Sequence, residues 1–233
     1  MASTSPQMAP LKTQSLRTLI GERIRDAILS GAYDCGDQLV ESAIADQLGV
    51  SRAPVREALS ALEKEGLIEG VPRRGYFVRE FTLKDIEEIY SLRLILEAEA
   101  VRRVVERIDE EGIDRLQRVV DKLDEAARAG DDAGAVTKWD MAFHGMLCGM
   151  ADHSRLSRAW ENTGLQTELL IGVTSRTHDP GEMREWHQTL LDRIREKDVE
   201  RALEVLTEHL CDAKGRAREA LALAQAEGQE GPE

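Results

Sequence analysis

The sequence predicts a mainly α chain: an N-terminal winged helix-turn-helix followed by an all-α antiparallel bundle of about six helices. Three observations predict it. Between Gly36 and Val78, a turn glycine, an apolar helical stripe and a basic turn follow one another in order. After residue 82 apolar residues recur at helical spacing between clear breaks. No strand signal rises in that second part.

Residues 1–14 are Ser/Thr/Pro/Gln-rich and are expected to be disordered. Leu16, Leu19, Ile20, Ile24, Ala27 and Ile28 mark a first helix that ends at Ser30-Gly31. Ala43, Ile44 and Leu48 are expected to form the inner face of the next. Gly49 supplies the turn, and Ser51 suits the N-cap of the helix that follows. Pro54 falls in its first turn, where a missing N–H costs little. Val55, Ala58, Leu59 and Leu62 make one buried stripe, and Gly66 ends the helix. Leu67-Ile68 and Tyr76-Phe77-Val78 predict a two-stranded wing around Pro72-Arg73-Arg74-Gly75. The first domain is therefore placed at 15–80. Thr82 caps the next helix, with Asp85 three residues on. Six helices follow, near 83–107, 111–129, 132–150, 153–175, 181–196 and 198–226. The second domain spans 82–226, and 227–233 is expected to be a flexible tail.

Net charge is −13 over 233 residues, which excludes nucleic-acid binding by bulk charge. The charge is uneven: residues 1–80 hold 10 Lys+Arg against 11 Asp+Glu, and the acidity lies beyond them. A locally basic tip on an acidic body fits focused contact with double-stranded DNA. The second helix of the motif would offer its N-terminus to the major groove, where backbone N–H groups favour phosphate. Ser51, Arg52 and Arg56 fall there, able to reach base edges or phosphates. Arg73, Arg74 and Gly75 fall on the wing turn. Cys35, Cys148 and Cys211 are odd in number and far apart, which points to a reducing cytoplasm. No apolar run approaches the ~20 residues that span a bilayer, and residues 1–11 lack the apolar core of a signal peptide.

The bundle carries polar residues on apolar faces. Asp140 and His144 share one helix face with Val136 and Leu147. His187 sits among Met183, Leu190, Leu191 and Ile194. His209 follows Ala202 and Val205. One carboxylate and three imidazoles can fill most of a transition-metal shell. They can equally be separate core histidines, each bonded to a backbone carbonyl, and spacing alone leaves both readings open. Cys148, one turn beyond His144, is either a soft ligand or a small buried hydrophobe. His153 and His178 fall at helix junctions. Thr163 and Thr167 share a stripe with Leu156, Trp160 and Leu170, as core threonines or as hydroxyls for a ligand.

The stretch Leu48-Gly49-Val50-Ser51-Arg52-Ala53-Pro54-Val55-Arg56-Glu57-Ala58-Leu59, with Leu62-Glu63, Gly66-Leu67-Ile68 and Arg73-Arg74-Gly75-Tyr76-Phe77-Val78, resembles the GntR family of bacterial transcription regulators. Cys35 stands where a proline commonly precedes Gly36, and Ser42 where many members carry a DNA-contacting arginine. A winged helix joined to a helical domain of this length is similar to the FadR-type subfamily with its FCD ligand domain, in the shorter VanR-like branch. The resemblance implies a divalent metal, zinc, nickel or manganese, held by Asp140, His144, His187 and His209. It also implies a small carboxylate effector that completes the metal's shell and meets an arginine. Arg93, in Tyr90-Ser91-Leu92-Arg93-Leu94-Ile95-Leu96-Glu97, is the candidate, with Thr163 and Thr167 beside it. The bland reading of Arg93 is a surface residue paired with Glu97 at i+4.

The function expected is a ligand-responsive transcription regulator, a repressor, working as a homodimer on a near-palindromic operator. The alternative is a metal-dependent hydrolase with an accessory DNA-binding domain. That alternative needs a general base, for which Glu97 is conceivable, but no H-E-x-x-H motif supports it.

Overall fold

The computed structural model describes residues 15–129, 133–174 and 180–229. The N-terminal segment 1–14, residues 130–132, His178 and the tail beyond 229 lie outside them. Helix α1 spans Leu16–Leu29, β1 Gln38–Leu39, α2 Glu41–Leu48, α3 Arg52–Glu65, β2 Ile68–Val71 and β3 Gly75–Val78. Helices α4 to α9 follow at Leu83–Arg107, Glu110–Ala129, Ala133–Met150, Ser154–Thr174, Pro180–Arg195 and Val199–Gln229.

The helix-turn-helix forms where its sequence signals place it. Gly49 and Gly66 end α2 and α3 with φ of 65° and 77°, a conformation that a Cβ would strain. Val55, Ala58, Leu59 and Leu62 are buried on α3, against Ile20, Ile24 and Ile28 of α1. Ser51 is the N-cap of α3, yet its side chain makes no capping hydrogen bond. The inner face of α2 differs from expectation. Ile44 and Ala45 are buried, whereas Ala43 is exposed and Leu48 is 38% exposed. An eight-residue helix covers its neighbour with barely two turns, so the burial follows the adjacent pair and not the longer stripe.

The wing has three strands and not two. Gln38–Leu39 pairs antiparallel with β3, giving the order β1-β3-β2. The segment after β3 is pinned. Arg79 donates its backbone N–H to Leu67 and its guanidinium to Asp85 at 2.6 Å, and Phe81 is buried. Thr82 and Asp85 form a complete capping box at the start of α4.

Among the described residues, no strand follows Thr82, and the helices are joined by short non-helical links. Helix α4 packs against α6, α7 and α9, and α5 packs against α6 and α8. This places α4 centrally, between the pinned segment and the inner helices. Helix α7 also touches α1 and α3, and Gln166 Nε2 donates to the carbonyl of Glu65 at 3.1 Å. Helix α9 runs to Gln229, three residues beyond the expected end at 226.

Candidate metal centre and nucleic-acid interface

Helix α6 presents Asp140 and His144 one turn apart, α8 presents His187 and α9 presents His209. All four are buried, at 3%, 0%, 1% and 5% exposure. One donor atom from each lies within 4.8 Å of all the others. His144 Nε2 is 3.3 Å from both His187 Nε2 and His209 Nε2. Asp140 Oδ1 is 3.0 Å from His187 Nε2 and 3.7 Å from His144 Nε2. The His144 and His209 rings stack with 10° between their planes, and Phe143 meets His187 edge-on. Separate core histidines would each turn to a carbonyl. These turn their Nε2 atoms toward one another, which neutral imidazoles satisfy poorly because each has one proton to give.

The charges follow from this crowding. Burial opposes ionisation of Asp140, yet the neighbouring His144 and His187 imidazoles hold its carboxyl well below the usual range. Burial also opposes a charge on His144, but the Glu97 carboxylate overrides it and lifts the imidazole to about 9. His209 is pushed well below its ordinary value, first by burial and then by His187 and His144. A three-nitrogen, one-oxygen set fits a borderline divalent cation, and zinc, nickel and manganese all accept it. A cation there would serve all four lone pairs at once. Cys148 stays outside the cluster; burial pushes its thiol up, so it behaves as a small hydrophobe. His153 accepts from the Leu156 N–H near the start of α7.

Arg93 lies in this layer and not at the surface. It is 1% exposed, and its guanidinium sits 5.3 Å and 5.4 Å from the rings of Tyr90 and Trp160. Nε donates to Glu97 Oε1 at 2.9 Å, so the i+4 pair exists but is buried. Nη2 has no hydrogen-bond partner among the described residues. Thr163 and Thr167 lie on α7 one and two turns beyond Trp160, both buried. Their hydroxyls donate to Ala159 and Thr163 carbonyls, leaving only lone pairs for any ligand.

At the other end, Ser51 and Arg52 are exposed at the start of α3. Arg56 is exposed too, but Glu41 of α2 grips it through Nε and Nη2 at 2.8–3.1 Å. Sequence reasoning missed this carboxylate, fifteen residues away, because only the α2–α3 crossing brings it near. On the wing, Arg73 and Gly75 take left-handed φ of 65° and 99°. Arg74 covers the Phe77 ring, and its carbonyl accepts from Gln38 at 2.6 Å. Arg73, Arg74 and Gly75 are all exposed.

Residues 16–78 match the gntR family of bacterial regulatory proteins, and residues 88–212 match the FCD domain. The chain is 28% identical to the gluconate operon transcriptional repressor of Bacillus subtilis, over 90% of this chain and 88% of that one. Among solved structures, a GntR transcriptional regulator from Rhodococcus sp. RHA1 superposes with a TM-score of 0.78 at 28% identity, covering 86% of this chain and 96% of that one. Escherichia coli McbR/YncC superposes with a TM-score of 0.77 at 24% identity, over 89% and 99%.

Proposed function

Since the chain belongs to the gntR family of bacterial regulatory proteins and carries an FCD domain, a family of DNA-binding transcription regulators and not of enzymes, we propose that it is a cytoplasmic repressor controlled by a small organic acid. The division between reading and sensing domains falls at residues 79–82. Two copies bind a near-palindromic operator, one α3 per half-site. The observation that carries the sensing half is the buried convergence of Asp140, His144, His187 and His209 beside Arg93, whose Nη2 has no partner among the described residues. Those four side chains would hold one divalent ion. Bound, it would supply a Lewis-acid position for a carboxylate oxygen. Arg93 would then meet the same carboxylate with its planar fork, within reach of Thr163 and Thr167. A thermal-shift screen of small organic acids, with and without chelator, tests this directly. An acid that stabilises only the metal-loaded chain is the expected hit.

Two predictions concern the DNA face. Arg52→Ala is expected to weaken specific operator binding by about 1–3 kcal/mol, as loss of a base contact does. Arg73→Ala or Arg74→Ala should instead weaken all sequences alike and flatten the salt dependence. Unchanged operator discrimination in Arg52→Ala would remove α3 from the groove.

A third prediction starts from the clasp of Arg56 by Glu41. A guanidinium already paired with a carboxylate meets phosphate with little net charge. Glu41→Gln is therefore expected to strengthen binding to non-specific duplex and to steepen the salt slope by about 1. An unaltered slope shows that Arg56 does not face the backbone.

A further inference from the structure

Glu97 is fully buried on α4, four residues after Arg93. Its carboxylate bridges two groups on different helices. Oε1 accepts from Arg93 Nε at 2.9 Å, and Oε2 lies 2.5 Å from His144 Nδ1. The consequence lies in the imidazole. A carboxylate 2.5 Å from Nδ1 favours the proton on that nitrogen, so the proton an incoming ion displaces is the one on Nε2, and Nε2 is the atom that offers its lone pair. Nε2 is the atom of His144 that faces His187 and His209.

Resting on the metal-centre reading above, we propose that Glu97 is the positioning residue of this site: it fixes the tautomer of His144 toward the ion and ties ion affinity to the state of Arg93. One carboxylate answers to both partners. An acid that draws the guanidinium toward itself relaxes one oxygen of Glu97 and changes the hold of the other on His144. Effector and ion then bind in reciprocal linkage: each alters the affinity of the other by the same factor. The guanidinium carbon also lies 5.3 Å from the Tyr90 ring and 5.4 Å from the Trp160 ring, so a shift toward an acid takes place against two aromatic faces.

The test uses the full chain and zinc as the probe. Zinc affinity is measured by competition against a chromophoric chelator, for wild type and Glu97→Gln. The expected result is about 10–100-fold weaker binding in the variant, the usual effect of removing a carboxylate behind a ligand histidine. Nitrogen-15 NMR of the imidazoles supplies a reading that mere destabilisation does not mimic. The His144 Nδ1 proton is expected at low field in wild type and shifted upfield in Glu97→Gln. If Glu97→Gln alone fails to fold, Arg93→Met/Glu97→Gln removes both buried charges together and carries the same measurements. Zinc affinity within twofold of wild type, with the Nδ1 proton unmoved, overturns the proposal. Wild type that takes up no zinc overturns the metal-centre reading beneath it, a separate and recognisable result.

Discussion

Replacing His187 with alanine is expected to leave the purified chain nearly free of metal where wild type carries about one divalent ion. His209→Ala should behave alike. The effect is large because the four donors come from three helices, α6, α8 and α9. No two neighbouring residues can hold the ion without the others, so binding energy at the site is also energy that fastens the helices together. At a free ion concentration a hundred times the dissociation constant, that linkage is about 2.7 kcal/mol. For a chain of this size it moves the thermal midpoint by about 5–10 °C. Alanine also leaves a cavity beside Phe143, which meets the His187 ring at 4.9 Å, and the cavity destabilises on its own account. Chelator separates the two. It should lower the midpoint of wild type and do nothing to His187→Ala. Elemental analysis completes the measurement. Wild type prepared without chelator that holds no metal and acquires none would return the three imidazoles to separate core roles.

Local signals made most of the architecture legible. Gly49, Gly66 and the Thr82/Asp85 cap act within a turn of where they stand, so helix ends can be placed from them. The inward faces of α6, α8 and α9 were legible for the same reason, since periodicity reports which side of a helix is dry. What failed was non-local. Strand β1 has two residues, too few to show alternation, and exists only because β3 offers it an edge. Leu48 sits on the apolar stripe of α2, but α2 is too short for its neighbours to cover that end. Arg93 and Glu97 have the i+4 spacing of an exposed ion pair, and that spacing is the same whether solvent or another helix lies outside it. Only the packing of α6 against α4 reveals that Glu97 has a second partner in His144. The meeting of four donors required the resemblance to be foreseen, because spacing within single helices holds no information about crossings between them.

Arg93→Lys is expected to abolish the effector response while leaving operator binding without effector close to wild type. The lysine variant is the informative one. Arg93→Ala would strand Glu97, 0% exposed, without its cationic partner on one side. Removing one member of a buried pair costs about 3–5 kcal/mol, which would blur any regulatory reading. Lysine keeps the charge against Glu97 but has no planar fork to share with a carboxylate. The response at stake is a coupling of about 1–3 kcal/mol, or roughly 5–150-fold in operator affinity. Two rigid connections can transmit it. Helix α4 begins at the capping box whose Asp85 also holds Arg79, so a tilt of α4 moves the segment that carries the wing. Helix α7 lays Trp160 against Arg93 and, further along, Gln166 on the last carbonyl of α3. Gln166→Ala distinguishes them: a full response in that variant assigns the coupling to α4, and a lost response assigns it to α7. The measurement is a titration of labelled operator with wild type, Arg93→Lys and Gln166→Ala, each with and without the acid from the thermal-shift screen. Equal responses in wild type and Arg93→Lys would take the effector's carboxylate away from Arg93. The guanidinium would then be a structural cation held between Tyr90, Trp160 and Glu97.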